Sequence, residues 1–316
     1  MREKLSMKPA DVPATDRYPD LSIVIPVFNE EENVGPLYEE LSAVLRATGL
    51  DYEIVFVDDG SSDATYDRIC EIVDEHIRIF RFRRHRGKAD ALALGFDGAR
   101  GDVIITMDGD QQDDPAEIPR FIEALARYDV VSGWKQNRQD ALGKRLSSRV
   151  FNWLTRQLTG VHIHDFNCGF KAYRQEVVKS IGIYGELHRY IPAIASWEGY
   201  SVGEIGVRHR PRTRGRSKYG FMRLLKGTLD LLTIKFLMSY GQRPLHLFGG
   251  GGLIFGSTGL IICTYMAYLW LNGIAIGERP LLMLGILLII VGIQLFAIGL
   301  LGELIISTAN RRNRQA

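Results

Sequence analysis

What this 316-residue chain lacks narrows it first. Its three cysteines, Cys70, Cys168 and Cys263, are odd in number and far apart. That argues against a disulfide framework or a thiolate zinc site and for a reducing compartment. Net charge is also missing: 39 Lys+Arg face 37 Asp+Glu, so no global field draws a polyanion, and no nucleic acid partner is expected. No GxGxxG follows the first apolar run, which argues against a dinucleotide-binding Rossmann domain. The glycines at 249–252 lie inside a long apolar stretch and read as close helix packing, not as a phosphate loop. Residues 1–20 have no apolar core, so they are read as a disordered lead and not as a signal peptide. No internal repeat is visible.

What is present is unevenly distributed. Leu245 to Leu271 and Pro280 to Ile306 are apolar runs, each long enough as a helix to exceed the ~30 Å hydrocarbon core of a bilayer. They read as transmembrane helices over 244–272 and 280–306, joined by the short "NGIAIGER" hairpin. Lys226, Lys235 and Arg243 precede the first, and Arg311, Arg312 and Arg314 follow the second in a basic tail, 307–316. The positive-inside rule then puts both termini and the N-terminal part on the cytoplasmic face of the cell membrane. Residues 221–243 carry apolar residues at helical spacing with basic residues between them, the pattern of an amphipathic helix in the interface. Gly285, Gly292 and Gly299 recur every seventh residue, a smooth stripe suited to the first span or to another subunit of a homo-oligomer.

Between residues 21 and 133, short β-branched or aromatic runs alternate with helical patterns. The runs are "LSIVIPV", "YEIVFVD", "IRIFRF", "DVIITMD" and "YDVVSG". Such alternation predicts an α/β domain, 21–220, with a mostly parallel sheet and helices on both faces. Ligands in such sheets bind beyond the carboxyl ends of the strands. Three polar stretches fall there: "PVFNE", "VDDGSSD" and "DGDQQDDP".

The last of these concentrates Asp108, Asp110, Asp113 and Asp114. Four carboxylates so close repel one another unless a cation sits among them. Oxygen ligands on a turn suit a hard divalent ion, Mg²⁺ or Mn²⁺. Gly109 is expected to let the backbone turn, and Asp114 before Pro115 to cap a helix. In "VDDGSSD", Asp63 reads as a helix cap, whereas Asp59 can accept hydrogen bonds from a base or ribose. In "IPVFNE", Pro26 shapes a turn, Phe28 offers a stacking face and Glu30 sits at the mouth. The "HIHD" stretch, 162–165, is read as a strand rather than a metal site, and Glu198 as a surface residue.

In order along the chain, "IPVFNEEENV", "VDDGSSDAT", "GKADALALGF" and "MDGDQQDDP" resemble the family 2 glycosyltransferases, which have the GT-A nucleotide-sugar-binding fold. "DFNCGFKAYR", "ELHRY" and "RPRTRGRSKY" look like the polyprenyl-phosphate branch, among them dolichyl-phosphate mannose synthases and bactoprenol glucosyltransferases. The resemblance covers residues 21–243, and many bacterial members share the paired spans. It implies that Pro26, Phe28, Glu30 and Asp59 line a nucleoside pocket with Lys88 nearby. Asp108, Asp110 and Gln112 would hold the metal that bridges a diphosphate, and Arg212 and Lys218 would close over it. His188 and Arg189 would face a phosphate. Lys135 stands where relatives often have arginine, a point charge in place of a fork. With Arg145 and Ser148 from "GKRLSSR", it would bind the acceptor phosphate. The implied activity is inverting, metal-dependent transfer of a hexose from a nucleotide sugar to a polyprenyl phosphate, with a UDP-hexose favoured over GDP-mannose. A processive polysaccharide synthase is disfavoured by only two spans and no Gln-x-x-Arg-Trp. An inactive scaffold is disfavoured by the intact acidic and basic motifs.

Overall fold

The computed structural model describes residues 18–72, 74–136, 152–181, 187–210, 231–236, 238–241, 243–275 and 279–315. Arg145, Ser148, Arg212 and Lys218 lie outside the described residues, as do 1–17 of the lead and 221–230 of the amphipathic segment. Two compact units divide the chain, Met1–Leu232 and Thr233–Ala316.

The first unit is built on strands β1 (Leu21–Val27), β2 (Tyr52–Asp58), β3 (Ile77–Arg81), β4 (Val103–Thr106), β5 (Val130–Lys135), β6 (Lys171–Arg174) and β7 (Val202–Val207). They form one sheet in the order β3-β2-β1-β4-β6-β5-β7. The first four named are mutually parallel, and β5 pairs parallel with β7. β6 runs antiparallel between β4 and β5. The five expected strands are present, β1 and β2 with the expected bounds and β3, β4 and β5 with shifted ends. β6 and β7 were not foreseen, because β6 is only four residues long and alternation weakens along "VGEIGV". "HIHD" is not a strand, although Ile163 and Asp165 are buried and His162 and His164 exposed. Its alternation is real, but no strand among the described residues pairs with it.

Helices cover both faces, as expected for strands that are apolar on both sides. Leu21, Ile23, Ile25, Ile54 and Phe56 pack with α1 (Val34–Thr48) and α4 (Ile118–Ala124). Val24, Val55 and Val57 pack with α3 (Lys88–Gly98), α6 (Gln175–Ser180) and α7 (Ile191–Trp197). The remaining helices of this unit are α2 (Thr65–Cys70) and α5 (152–159). Asp114 caps the 3₁₀ turn Pro115–Glu117 through Ala116 N at 3.0 Å, and Asp63 Oδ1 accepts from Thr65 N at 3.0 Å before α2. Asp114 is the cap that the sequence led one to expect, whereas the N-cap position of α2 is Ala64 and Asp63, one residue earlier, only supplies the hydrogen bond to Thr65 N. Glu198 is exposed at the end of α7.

The second unit holds α8 (helical at 231–236, beginning just before the unit boundary), α9 (Pro244–Leu271) and α10 (Pro280–Gln315). The last two are long and apolar enough to cross a membrane. Their contact is glycine on glycine: a β-carbon on Gly252 would sit 2.6 Å from Gly292 O, and one on Gly259 the same distance from Gly285 O. The seventh-residue stripe of α10 therefore faces α9, and no other subunit is needed to explain it.

Candidate active site

The parallel register brings three loop tips together. Val27 is level with Asp58 across β1 and β2, and Met107 N bonds Val24 O, so the chain leaves β1, β2 and β4 at one edge. The first two tips are stitched by Asn29, which is left-handed at φ 55. Its N–H donates to Ser61 Oγ at 3.0 Å, and its Oδ1 accepts from Ser62 N at 2.9 Å. Glu30 N donates to Thr65 Oγ1 at 2.8 Å, and the Glu30 carboxylate accepts from Asn33 Nδ2. Pro26 does not shape a turn as expected: it lies within β1, paired with Val57 of β2, and the turn begins after Val27.

Asp59 is buried, and its carboxylate organises a loop. It accepts from Arg86 N at 2.8 Å and Gly87 N at 2.9 Å, and His85 Nδ1 lies 2.8 Å away. His85 in turn stacks on Phe28, centroids 4.2 Å apart. The next residue after this loop, Lys88, begins α3 and sends its ammonium to Asp108 Oδ1.

Asp108 is the centre of the third tip. Its backbone N donates to Asp113 Oδ2 at 3.3 Å, and Asp110 Oδ1 accepts from Gln112 N at 3.2 Å. The left-handed residue of this turn is Gln111 at φ 59, not Gly109. Gly109 is needed for a different reason: a β-carbon there would fall 2.8 Å from Val27 Cγ1. The Gln112 amide reaches toward Arg210 O at 3.5 Å, and Gln112 O accepts from Arg210 N at 2.9 Å. Arg210 also grips Glu40 with both terminal nitrogens, at 2.8 and 2.6 Å, and Asp114 at 2.9 Å. The acidic turn is thereby tied to the start of the basic stretch.

Three lysines surround Asp108. Lys135, its side chain only 10% exposed, pairs with Asp113 at 3.1 Å. Burial would push the Lys135 ammonium down, but Asp113 and Asp108 hold it well above its usual range. Lys171 is buried and donates to Phe166 O at 3.2 Å and to Cys168 O. Burial lowers its pKa. Burial alone would raise Asp108, yet Lys88, Lys135 and Lys171 hold it well below the carboxylate range. The buried Cys168 thiol is pushed up to about 12, which makes it an inert packing group. His188, whose buried Nδ1 has no hydrogen-bond partner among the described residues, is kept well below 6.5. Burial is the first cause, and repulsion from Lys88, Arg189 and Lys171 adds to it.

Lys88, Asp108, Lys135 and His188 thus come together, with Phe28, Glu30 and Asp59 on adjoining tips. Lys171 and the counter-ion role of Asp113 were missed, although both stand inside quoted motifs. Among the described residues, no three His, Cys, Asp or Glu side chains form a metal cage. Two hard carboxylates separated by one residue fit a cation that takes its other ligands from a substrate, and do not fit a closed structural site.

Known proteins resemble this chain in fold and in sequence. A solved glucosyl-3-phosphoglycerate synthase from Mycobacterium tuberculosis, in complex with Mn²⁺ and UDP-glucose, superposes with a TM-score of 0.52 at 18% identity over 69% of this chain and 79% of that one. Its complex with phosphoglyceric acid gives 0.54 at 17%, over 70% and 80%. At that identity the likeness establishes the GT-A-type fold. Dodecaprenyl-phosphate galacturonate synthase of Rhizobium johnstonii is 40% identical over 92% of this chain and 89% of its own. Undecaprenyl-phosphate 4-deoxy-4-formamido-L-arabinose transferase of Pectobacterium carotovorum is 35% identical over 92% and 89%. The pattern of Glycosyl transferase family 2 matches residues 22–182, which hold the three loop tips and the lysine cluster, and the chain belongs to that family.

Proposed function

We propose that the protein transfers a sugar from a nucleoside diphosphate to the phosphate of a polyprenyl lipid, inverting the anomeric carbon. The observation that carries this reading is the extent of the similarity. Relatives named as dodecaprenyl- and undecaprenyl-phosphate sugar transferases match 92% of the chain, which leaves too few residues unmatched to omit either α9 or α10. A polyprenyl phosphate presents its phosphate at the bilayer surface, and a catalytic domain followed by two apolar helices answers that need. The basic flanks of the spans support a cytoplasmic position for both tails.

The acceptor phosphate is already anionic near neutral pH, its second pKa being ~6, so no strong general base is required. Its oxygen attacks the anomeric carbon as the bond to the donor's β-phosphate oxygen breaks, and the nucleoside diphosphate leaves. The protein's task is to hold two anions together against their repulsion. In this reading Pro26, Phe28, Glu30 and Asp59 surround the nucleoside, and Lys88, His188 and Arg189 face the donor phosphates. Lys135, Arg145 and Ser148 hold the acceptor phosphate, and Arg212 and Lys218 close over the diphosphate. Asp108 and Asp110, with Gln112 beside them, would hold Mg²⁺ or Mn²⁺. Such an ion, when bound, neutralises charge on the leaving diphosphate.

The working donor is a UDP-hexose, with GDP-mannose the alternative. The named relatives differ in their sugars, galacturonate in one and formamido-arabinose in the other. The deciding experiment is a radiolabelled transfer assay with undecaprenyl phosphate against a panel of uridine- and guanosine-diphosphate sugars, glucose, galacturonate and mannose among them. We expect one donor to yield lipid-linked sugar. No lipid product from any donor, with metal present, would refute the reading.

A further inference from the structure

The acidic turn holds a backbone conformation that needs support. Gln111 is left-handed at φ 59, a region that side chains disfavour, and it stands between Asp110 and Gln112, both read above as metal ligands. Bonds inside the turn, Gln112 N to Asp110 Oδ1 and Asp108 N to Asp113 Oδ2, set its local shape. Lys135 ties Asp113 to β5 at 3.1 Å. Support for Gln112 comes from Arg210.

Arg210 holds the turn by its backbone and by its side chain. After β7 ends at Val207, the chain runs across the turn, where His209 forms an isolated antiparallel bridge with Asp113. Arg210 N then donates to Gln112 O at 2.9 Å. Its guanidinium reaches Asp114 at 2.9 Å and both carboxylate oxygens of Glu40 at 2.8 and 2.6 Å. Glu40 lies on α1 between Leu37 and Leu41, which are fully buried in the core, so the fork ends on a rigid element. A planar two-pronged contact fixes orientation as well as distance. Charge alone would make Arg210 a liability here. A cation beside a metal site repels the metal, and Lys88, Lys135 and Lys171 already surround Asp108.

We propose that Arg210 is a positioning residue for the divalent cation: it braces the acidic turn against α1 and so holds Asp110 and Gln112 where a metal can use them. The assignment rests on the metal-dependent reading above and deepens it. Arg210 acts through the backbone of Gln112, and Glu40 acts through Arg210.

The test is equilibrium binding of Mn²⁺ alone to the full-length protein in detergent, followed by the EPR signal of the free ion, with melting temperature measured beside it. Arg210→Gln and Glu40→Gln should each weaken Mn²⁺ binding about tenfold, the scale expected when a group supporting metal ligands is removed. Combining them should weaken it little further, because both break one link. Arg210→Lys keeps the charge but not the fork, and should weaken binding nearly as much. The fold should persist, since half-exposed ion pairs contribute little to stability. Tighter Mn²⁺ binding by Arg210→Gln would overturn the assignment, because the arginine would then act only as a repelling charge. A lowered melting temperature with unchanged Mn²⁺ affinity would overturn it too, leaving a purely structural role. Should the parent protein bind no Mn²⁺, the metal reading fails, and this assignment with it. That outcome is told apart because it appears before any substitution is made.

Discussion

The backbone at Gly169 lies directly against the carboxylate of Asp108: a β-carbon there would collide with all three carboxylate atoms. Thr106 Oγ1 fixes this approach from the neighbouring strand by donating to Gly169 O at 2.7 Å. Gly169 is therefore required by the side chain it faces, not by its own dihedral angles. Gly169→Ala should force Asp108 out of its present rotamer and lower sugar transfer by about a hundredfold, the scale expected when a charge-stabilising group is misplaced. The fold should persist, because the alanine methyl can be relieved by moving one side chain. Turnover and thermal melting measured together decide it; normal turnover would mean that the position of Asp108 does not matter.

Lys135 and Asp113 form a buried ion pair, and the resemblance gives the same lysine to the acceptor phosphate. The two roles make different predictions. Lys135→Met leaves Asp113 charged and unpaired, which typically costs about 3–5 kcal/mol. Neutralising the partner as well, in Lys135→Met with Asp113→Asn, removes that stranded charge and should restore most of the lost melting temperature. If Lys135 also holds phosphate, the double variant should keep a raised KM for the lipid acceptor despite its recovered stability. Recovery of both quantities would make the lysine purely structural.

The parts legible in the sequence were those where chemistry and local pattern agree. The β-branched runs Leu21–Val27 and Tyr52–Asp58 are buried on both faces, so they carry their own signature, and the polar stretches at their ends could only become loop tips. β6 and β7 are short and lie after the clear alternation ends, and their assignment depends on partners distant in sequence. Lys171 was invisible for a related reason. Nothing in "GFKAY" says that its ammonium turns inward onto two carbonyls instead of outward to solvent. Similarly, "DGD" suggests a glycine turn, yet the left-handed residue is Gln111, and Gly109 is small because Val27 is near. For the glycines of α10, spacing gave the stripe but left its partner open, and only the packing of α9 decided it.

His188 sets a pH dependence of stability whose sign is fixed by its surroundings. Burial, then the cations Lys88, Arg189 and Lys171, hold its pKa well below the ordinary 6.5, so the folded chain keeps it neutral while the unfolded chain takes up a proton. Stability from this group is complete above about pH 6.5. It is lost as pH falls from there toward the depressed folded value, by up to about 1.4 kcal/mol per pH unit. Asp108 acts in a separate window. Its pKa is also lowered, so its contribution is present above the usual carboxylate value and disappears only in stronger acid. Melting temperatures at about pH 5 and about pH 7.5 should therefore differ more for the parent than for His188→Asn. Equal differences would remove His188 as the cause.

The division into Met1–Leu232 and Thr233–Ala316 predicts a division of labour between chemistry and anchoring. Every described side chain of the candidate site belongs to the first unit, and that unit has its own two-sided core. The second contributes two helices packed on each other through glycines, too few to enclose a pore. Anchoring acts by raising the effective concentration of a lipid-borne acceptor around the site, not by altering the barrier. A chain ending at Leu232 should therefore bind nucleotide and metal like the whole protein. Its transfer to a long-chain polyprenyl phosphate in liposomes should fall by about tenfold or more, because catalyst and acceptor no longer share a surface. Transfer to a short, water-soluble prenyl phosphate should change by less than about threefold, since neither reactant then depends on the bilayer. Equal loss of both reactions would show that the helices form part of the catalytic structure.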